Sequence, residues 1–262
     1  MVSENTIIYV ETVQSKIIKI LFDVLKDVIQ DNINIVFDQD CIKIVYLSSN
    51  EKALITVKLN SSKFEQYICN EQMYKIGVDL THLNKLTKSI QTKDILSLYI
   101  EKDTPDILYI KRYNELHDFL SIHKMQLYTL TEKNICDHDV PDITYKSCLQ
   151  LNSNLFQQKC KDLDNLTCLT ATISYTNTQL SIEADNNYSS NTLILSDMSV
   201  SEKDDRWEIH GEYLIKYIVL FTKATALDKK YVSVYLSPEK PLIIEYNIGN
   251  LGYIRLLLSP EE

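Results

Sequence analysis

Glycine is scarce: the 262 residues contain only Gly77, Gly211, Gly249 and Gly252. A phosphate loop of the GxGxxG or GxxxxGK[ST] kind needs several glycines at close spacing, so nucleotide-hydrolysing folds built on such loops are excluded. No apolar run approaches the roughly 18 residues that a membrane helix requires. Cys41, Cys69, Cys136, Cys148, Cys160 and Cys168 form no CxxC pair and no zinc spacing, so reduced and mostly buried thiols are expected. The opening Met1-Val2-Ser3-Glu4-Asn5 lacks the basic and apolar regions of a secretory leader, and an intracellular chain is expected. Gly, Ala and Arg give way to Ile, Asn, Lys and Tyr, a bias of coding rather than of mechanism.

What is present is an ordinary globular composition, 45% hydrophobic and 24% charged, in a length that suits two domains. The chain also repeats itself. Thr87-Lys88 is followed after sixteen residues by Pro105 and the apolar Ile107-Leu108-Tyr109-Ile110. Thr222-Lys223, 135 residues further on, is followed after seventeen by Pro241 and Leu242-Ile243-Ile244-Glu245-Tyr246. A repeat at half the chain length predicts two similar domains rather than a solenoid of short units.

Periodicity predicts four amphipathic helices. The first spans 15–30, with Ser15 as N-cap and Ile17, Leu21, Val24, Leu25 and Val28 inward. The second spans 81–91 behind Asp79, with Leu83, Leu86 and Ile90 inward. The third spans 153–163, with Leu155, Phe156, Lys159, Cys160 and Leu163 on neighbouring faces. The fourth spans 212–223, with Leu214, Tyr217, Ile218 and Phe221 as its apolar stripe. Strands are predicted at 41–47, 53–59, 95–100, 107–113, 169–175, 192–195, 231–236 and 242–248 from their β-branched and aromatic content. The fold class is α+β: two similar domains of antiparallel sheets with two helices each. The expected division is 1–127, an interdomain connector over 128–142, and 143–262.

A net charge of −9 repels nucleic acid on average, yet the charge is segregated. The four predicted helical windows, counted with Asp164 at the end of the third, hold nine lysines (Lys16, Lys19, Lys26, Lys85, Lys88, Lys159, Lys161, Lys216, Lys223) against five acids (Asp23, Asp27, Asp162, Asp164, Glu212), which leaves −13 for the remainder. Lys85 and Lys88 share a face at i, i+3, and Lys216 and Lys223 at i, i+7. Lysines on the polar face of any one helix need only be solvated. Their recurrence in both halves suggests a basic surface that meets a polyanion through point contacts with phosphates.

Phe221-Thr222-Lys223-Ala224-Thr225-Ala226-Leu227, Pro241 to Tyr246 and Leu258-Ser259-Pro260 resemble the proliferating cell nuclear antigen family of DNA sliding clamps. Leu25-Lys26-Asp27, Gly77-Val78-Asp79-Leu80 and Asp94-Ile95-Leu96-Ser97-Leu98 extend the resemblance to the first half. It implies a non-enzymatic processivity factor without cofactor or metal. Three identical subunits would close head to tail around duplex DNA of any sequence. The ring would tether DNA polymerase, a clamp loader and other proteins bearing a clamp-binding peptide, in a nucleus or a viral replication compartment. By family position, Lys19, Lys26, Lys85, Lys88, Lys161, Lys216 and Lys223 would face phosphates. A peptide with one aliphatic and two aromatic anchors would meet Leu47, Leu54, Val140, Pro141, Pro241, Leu257, Ser259 and Pro260. Edge strands carrying Phe119, Ser121 and His123 on one side and Thr192, Leu193, Ile194 and Leu195 on the other would join subunits. Each apolar residue of the peptide site serves equally well as plain core.

The chain departs from its relatives at three places. They usually carry Asp-Ser-Ser-His-Val after the residue matching Leu47, whereas here Ser48-Ser49-Asn50-Glu51-Lys52 follows. The connector is longer, with Asp137 and Asp139 added, and Gln158 stands where arginine is common. Two other readings stay open: a subunit of a heterotrimeric checkpoint-type clamp or a monomeric polymerase accessory factor, and a hydrolase built on Cys136 and His138. The last ranks lowest, because adjacent residues rarely converge on one ion and a Cys-His pair normally comes from distant segments.

Overall fold

A computed structural model describes residues 5–29, 31–129, 145, 147–176, 179–195, 199–200, 209–237 and 240–261. The first half runs β1 (Thr6–Thr12), α1 (Ser15–Val28), β2 (Ile33–Asp38), β3 (Cys41–Leu47), β4 (Ala53–Asn60), β5 (Gln66–Cys69), β6 (Met73–Val78), α2 (Leu80–Thr87), β7 (Ile95–Glu101), β8 (Thr104–Asn114) and β9 (Phe119–Gln126). The second runs β10 (Ser147–Asn152), α3 (Ser153–Asp164), β11 (Thr170–Thr176), β12 (Gln179–Asp185), β13 (Ser190–Leu195), β14 (Ser199–Val200), β15 (Ile209–Leu214), α4 (Ile215–Phe221), β16 (Tyr231–Leu236), β17 (Leu242–Ile248) and β18 (Gly252–Leu258). Strand, helix, five strands, helix, three strands: the order is the same twice.

Pairing repeats as well. β1 lies antiparallel between β5 and β7, as β10 does between β14 and β16. β2 lies between β3 and β6, as β11 does between β12 and β15. The chain forms two compact units, one of Met1–Tyr46, Thr56–Asp137 and Asn247–Tyr253, the other of Leu47–Ile55, His138–Tyr246 and Ile254–Glu262. In unit 1 the five-stranded sheet has the order β5-β1-β7-β8-β9, which leaves β9 at an edge. In unit 2 the four-stranded sheet has the order β13-β12-β11-β15, which leaves β13 at an edge.

Alternation along the strands decides which face is core. β4 reads buried and half-buried in strict turn, the period-2 signature of a sheet with one face packed. In unit 1 the core joins Ile8, Val10, Leu21, Leu25, Phe37 and Leu83, and a cavity of about 30 Å³ remains between α1 and the strands. In unit 2 it joins Leu149, Phe156, Ile173, Ile218, Phe221 and Tyr246, the last two rings lying 5.7 Å apart.

Four helices are found among the described residues, with several corrections to their detail. Ser15 is not the N-cap of α1; Gln14 is, without a side-chain cap, and the Ser15 hydroxyl instead donates to the Gln91 carbonyl at 3.2 Å. Ile18, Leu21, Phe22 and Leu25 fill the core, while Ile17 and Val28 are only half-buried, because the helix is rotated toward its i, i+3, i+4, i+7 row. α2 stops at Thr87, so Ile90 is buried outside the helix and Leu86 stays half-exposed. Leu155 on α3 is exposed.

α4 is shorter than its periodicity suggests. Ile209–Leu214 belongs to β15, where Glu212 pairs with Thr172, and residues 222–226 form a 3₁₀ turn. One consequence follows for the charge count: the helices with the turns that follow them hold four acids rather than five, because Glu212 lies on β15. Lys216 on α4 and Lys223 in the 3₁₀ turn are both exposed.

Candidate functional site

The repeated Thr-Lys pair has a local cause. Thr87 and Thr222 are buried, and each hydroxyl donates back to its own helix, Thr87 Oγ1 to the Leu83 carbonyl at 2.9 Å and Thr222 Oγ1 to the Val219 carbonyl at 2.6 Å. That bond satisfies a hydroxyl that would otherwise be buried at a cost. With the threonine turned inward, the next residue points out. Lys88 and Lys223 are both exposed.

In unit 1, α1 and α2 pack together, and the Asn84 amide donates to Asp23 Oδ1 at 2.5 Å across them. Lys26, Lys85 and Lys88 are exposed and Lys19 is half-exposed; none of the four has an ion pair among the described residues. Asp23 and Asp27 share the lysine-bearing face of α1. In unit 2, α3 and α4 pack together, and Gln157 donates to the Thr222 carbonyl at 2.7 Å. Lys161 is exposed, Lys216 lies 4.9 Å from the Tyr217 ring centroid, and Lys159 is drawn to Asp162 at 3.1 Å. Lys26, Lys85 and Lys161 lie in the last turns of their helices, where a cation also offsets the negative end of the helix dipole.

The predicted peptide contacts that are described all fall in unit 2. Leu47 ends β3, Leu54 lies on β4, and both are half-buried; so are Pro241 and Ser259, while Pro260 is exposed. Leu257 is only 6% exposed and packs as core. The turn between Leu47 and Leu54 is closed by Ser48 N to the Ala53 carbonyl at 2.8 Å, Ala53 N to Ser48 Oγ at 3.0 Å, and Glu51 in a left-handed conformation at φ 59°. Ser259 N donates to the Lys52 carbonyl at 2.9 Å, and Lys52 Nζ stands 3.6 Å from Glu261, so the C-terminal segment is held to this turn. Val140 and Pro141 lie outside the described residues, as do Cys136 and His138.

Both edge strands present apolar side chains. On β9, Phe119 is exposed and Ser121 shares a hydrogen bond with His123 at 3.1 Å. Arg112 lies 4.7 Å over Phe119 and Lys124 lies 5.3 Å over Tyr109, one contact near each end of β9. On β13, Thr192 is exposed, Ile194 is 55% exposed, Leu193 is half-buried and Leu195 is buried.

Other chemistry is poorly supplied. Among the described residues no group of three or more His, Cys, Asp or Glu could hold a metal ion, and no helix is long and apolar enough to cross a membrane. Burial pushes the Cys160 thiol up to about 12 and, with the nearby Asp38 carboxylate, the Cys41 thiol to about 11, so neither is a thiolate at neutral pH. Sequence reasoning missed two hydrogen bonds made beside the predicted peptide contacts. Tyr145 donates to the Pro241 carbonyl at 2.7 Å, and Tyr217 donates to Asn50 Oδ1 at 2.5 Å. The latter partners stand 167 residues apart, and no local pattern signals such a pair.

Comparison with known proteins bears on the whole chain. The model described as "Proliferating cell nuclear antigen, N-terminal domain" matches residues 7–134, and that described as "Proliferating cell nuclear antigen, C-terminal domain" matches residues 139–261. The chain is 26% identical over 268 residues to the probable DNA polymerase sliding clamp 1 of Paramecium bursaria Chlorella virus 1, with 99% of each chain covered. It is 28% identical over 255 residues to the proliferating cell nuclear antigen of Chaetomium thermophilum, with 95% of each covered. The crystal structure of Proliferating Cellular Nuclear Antigen from Entamoeba histolytica matches with a TM-score of 0.86 at 19% identity, covering 98% of this chain and 100% of that one, which speaks to the fold.

Proposed function

The chain belongs to the proliferating cell nuclear antigen family of DNA sliding clamps, and from that premise we propose that three copies close head to tail around duplex DNA and tether a polymerase to it. The observation that carries this is the doubled layout: each half places exposed lysines on a packed helix pair, with Lys88 and Lys223 set outward by the same buried threonine. β9 and β13 supply two different sheet edges, each unpaired on its outer side among the described residues. A heterologous contact between them closes into a ring if the rotation per subunit is right.

The ring works by topology. A closed ring cannot leave the duplex sideways, so Lys19, Lys26, Lys85, Lys88, Lys161, Lys216 and Lys223 need only weak, exchangeable phosphate contacts that let it slide. A peptide from a polymerase, loader or other client seated near Leu47, Leu54, Pro241, Ser259 and Pro260 stays at high local concentration on the DNA. The work is non-catalytic and needs no cofactor. It belongs where replication takes place, a nucleus or a viral replication compartment, in keeping with relatives from a fungus and a virus.

The deciding experiment loads the protein onto circular DNA and then linearises it. Retention on the circle followed by release from the linear form is expected; equal retention on both overturns the topological reading. Solution mass tests the subunit count. Three times the 30.4 kDa chain mass is expected at micromolar concentration, whereas a ring formed only with different subunits favours the heterotrimeric alternative.

A further inference from the structure

Asn50 stands in the turn between β3 and β4, and its side-chain oxygen is a hub. Asn50 Oδ1 accepts from Ser48 Oγ at 2.8 Å and from the Tyr217 hydroxyl at 2.5 Å. Ser48 Oγ in turn accepts the Ala53 amide at 3.0 Å, and the Ser48 carbonyl accepts the Glu51 amide at 2.8 Å. Tyr217 is a residue of α4, and its ring also carries the Lys216 ammonium at 4.9 Å. On the far side the turn is held by Ser259 and Glu261. Glu261 N reaches back to the Glu212 carbonyl at 2.8 Å, close before α4.

We propose that Tyr217 is a positioning residue for the partner-peptide site: its hydroxyl ties the 48–52 turn to α4 and so sets where Leu47 and Leu54 stand against the Ser259–Pro260 segment. This rests on the partner-site reading above. The physical reason is that a turn holding Glu51 in the left-handed region is strained for a residue with a side chain, so it keeps one shape only while outside contacts over-determine it. Ser48 and Asn50 alone are local and move together. Tyr217 is the contact that refers the turn to a packed helix.

The test uses the full chain and a labelled synthetic peptide with one aliphatic and two aromatic anchors. Tyr217→Phe keeps the ring and its Lys216 contact but removes the donor. Binding is expected to weaken by roughly 3- to 10-fold, the range of one hydrogen bond. Asn50→Ala should do the same, the double variant should lose no more than the weaker single one, and Asn50→Asp, which keeps an acceptor in place, should stay within about 2-fold of the parent. Losses that simply add overturn the tie. Amide exchange at Glu51 and Ala53 supplies a readout independent of any peptide. Faster exchange there in Tyr217→Phe, with β16 and β17 unchanged, supports the positioning role, and unchanged exchange at those two amides overturns it. A parent protein that fails to bind the peptide sinks the partner-site reading, and the exchange measurement still decides the role of Tyr217.

Discussion

At Gly77 a Cβ atom would stand 2.5 Å from the Tyr128 carbonyl oxygen, and the Tyr128 amide donates to the Gly77 carbonyl at 2.9 Å. The close approach lets the segment after β9 lie against β6. At Gly252 a Cβ would stand 1.8 Å from the Lys58 carbonyl oxygen. Both obstacles are backbone, which cannot swing aside. In a chain that uses so few glycines, these two are placed where the backbone of another segment passes. Gly77→Ala is expected to cost about 1–3 kcal/mol, the range for forcing atoms into filled space. Urea titration followed by circular dichroism reads it, and a midpoint equal to the parent's would show that the 128 segment yields freely.

Helices α2 and α3 each begin on a side-chain cap, Asp79 accepting the His82 amide at 2.9 Å and Asn152 accepting the Leu155 amide at 3.0 Å. α1 and α4 have no such side-chain cap. Asp79→Ala and Asn152→Ala are each expected to lower stability by about 1 kcal/mol. Asp79 adds a pH dependence. Burial would raise its carboxyl, but the His82 amide and the imidazole beside it outweigh that and hold it below its ordinary 3.8. A depressed folded value means that the folded state binds fewer protons, so its contribution is present above about pH 4 and is lost as pH falls through the depressed value. Asp79→Asn should therefore flatten the acid limb of the stability curve below about pH 4, measured by thermal midpoints at stepped pH. An unchanged acid limb would assign that dependence to other carboxylates such as Asp38, which is also held low.

Two predictions belong to the assembled molecule. Single lysine-to-alanine changes at Lys26, Lys85 or Lys161 should weaken equilibrium binding to linear duplex DNA to the same degree whatever the sequence, and should flatten its salt dependence, while retention on a closed circle stays topological. A sequence-selective loss would contradict phosphate contact. Ile194→Asp puts a charge on the exposed row of β13, and light scattering should then find the 30.4 kDa monomer, correctly folded by circular dichroism. A variant that still assembles removes β13 from the subunit contact.

Much of this was legible along the chain because it is written in local periods. The repeat, the α+β class and the helix stripes follow from spacings of two and of three to four residues, which depend on backbone geometry alone. The outward lysines after Thr87 and Thr222 follow from the same repeat. Helix ends were less legible: Glu212 is drawn into β15 by its partner strand β11, and a pairing partner 40 residues away leaves no mark on the sequence around it. The Tyr217–Asn50 bond and the glycine approaches lie further still from any local signal. Each joins segments that meet only after the sheets have formed, since a hydrogen bond or a van der Waals contact depends on distance in space, and distance along the chain does not predict it.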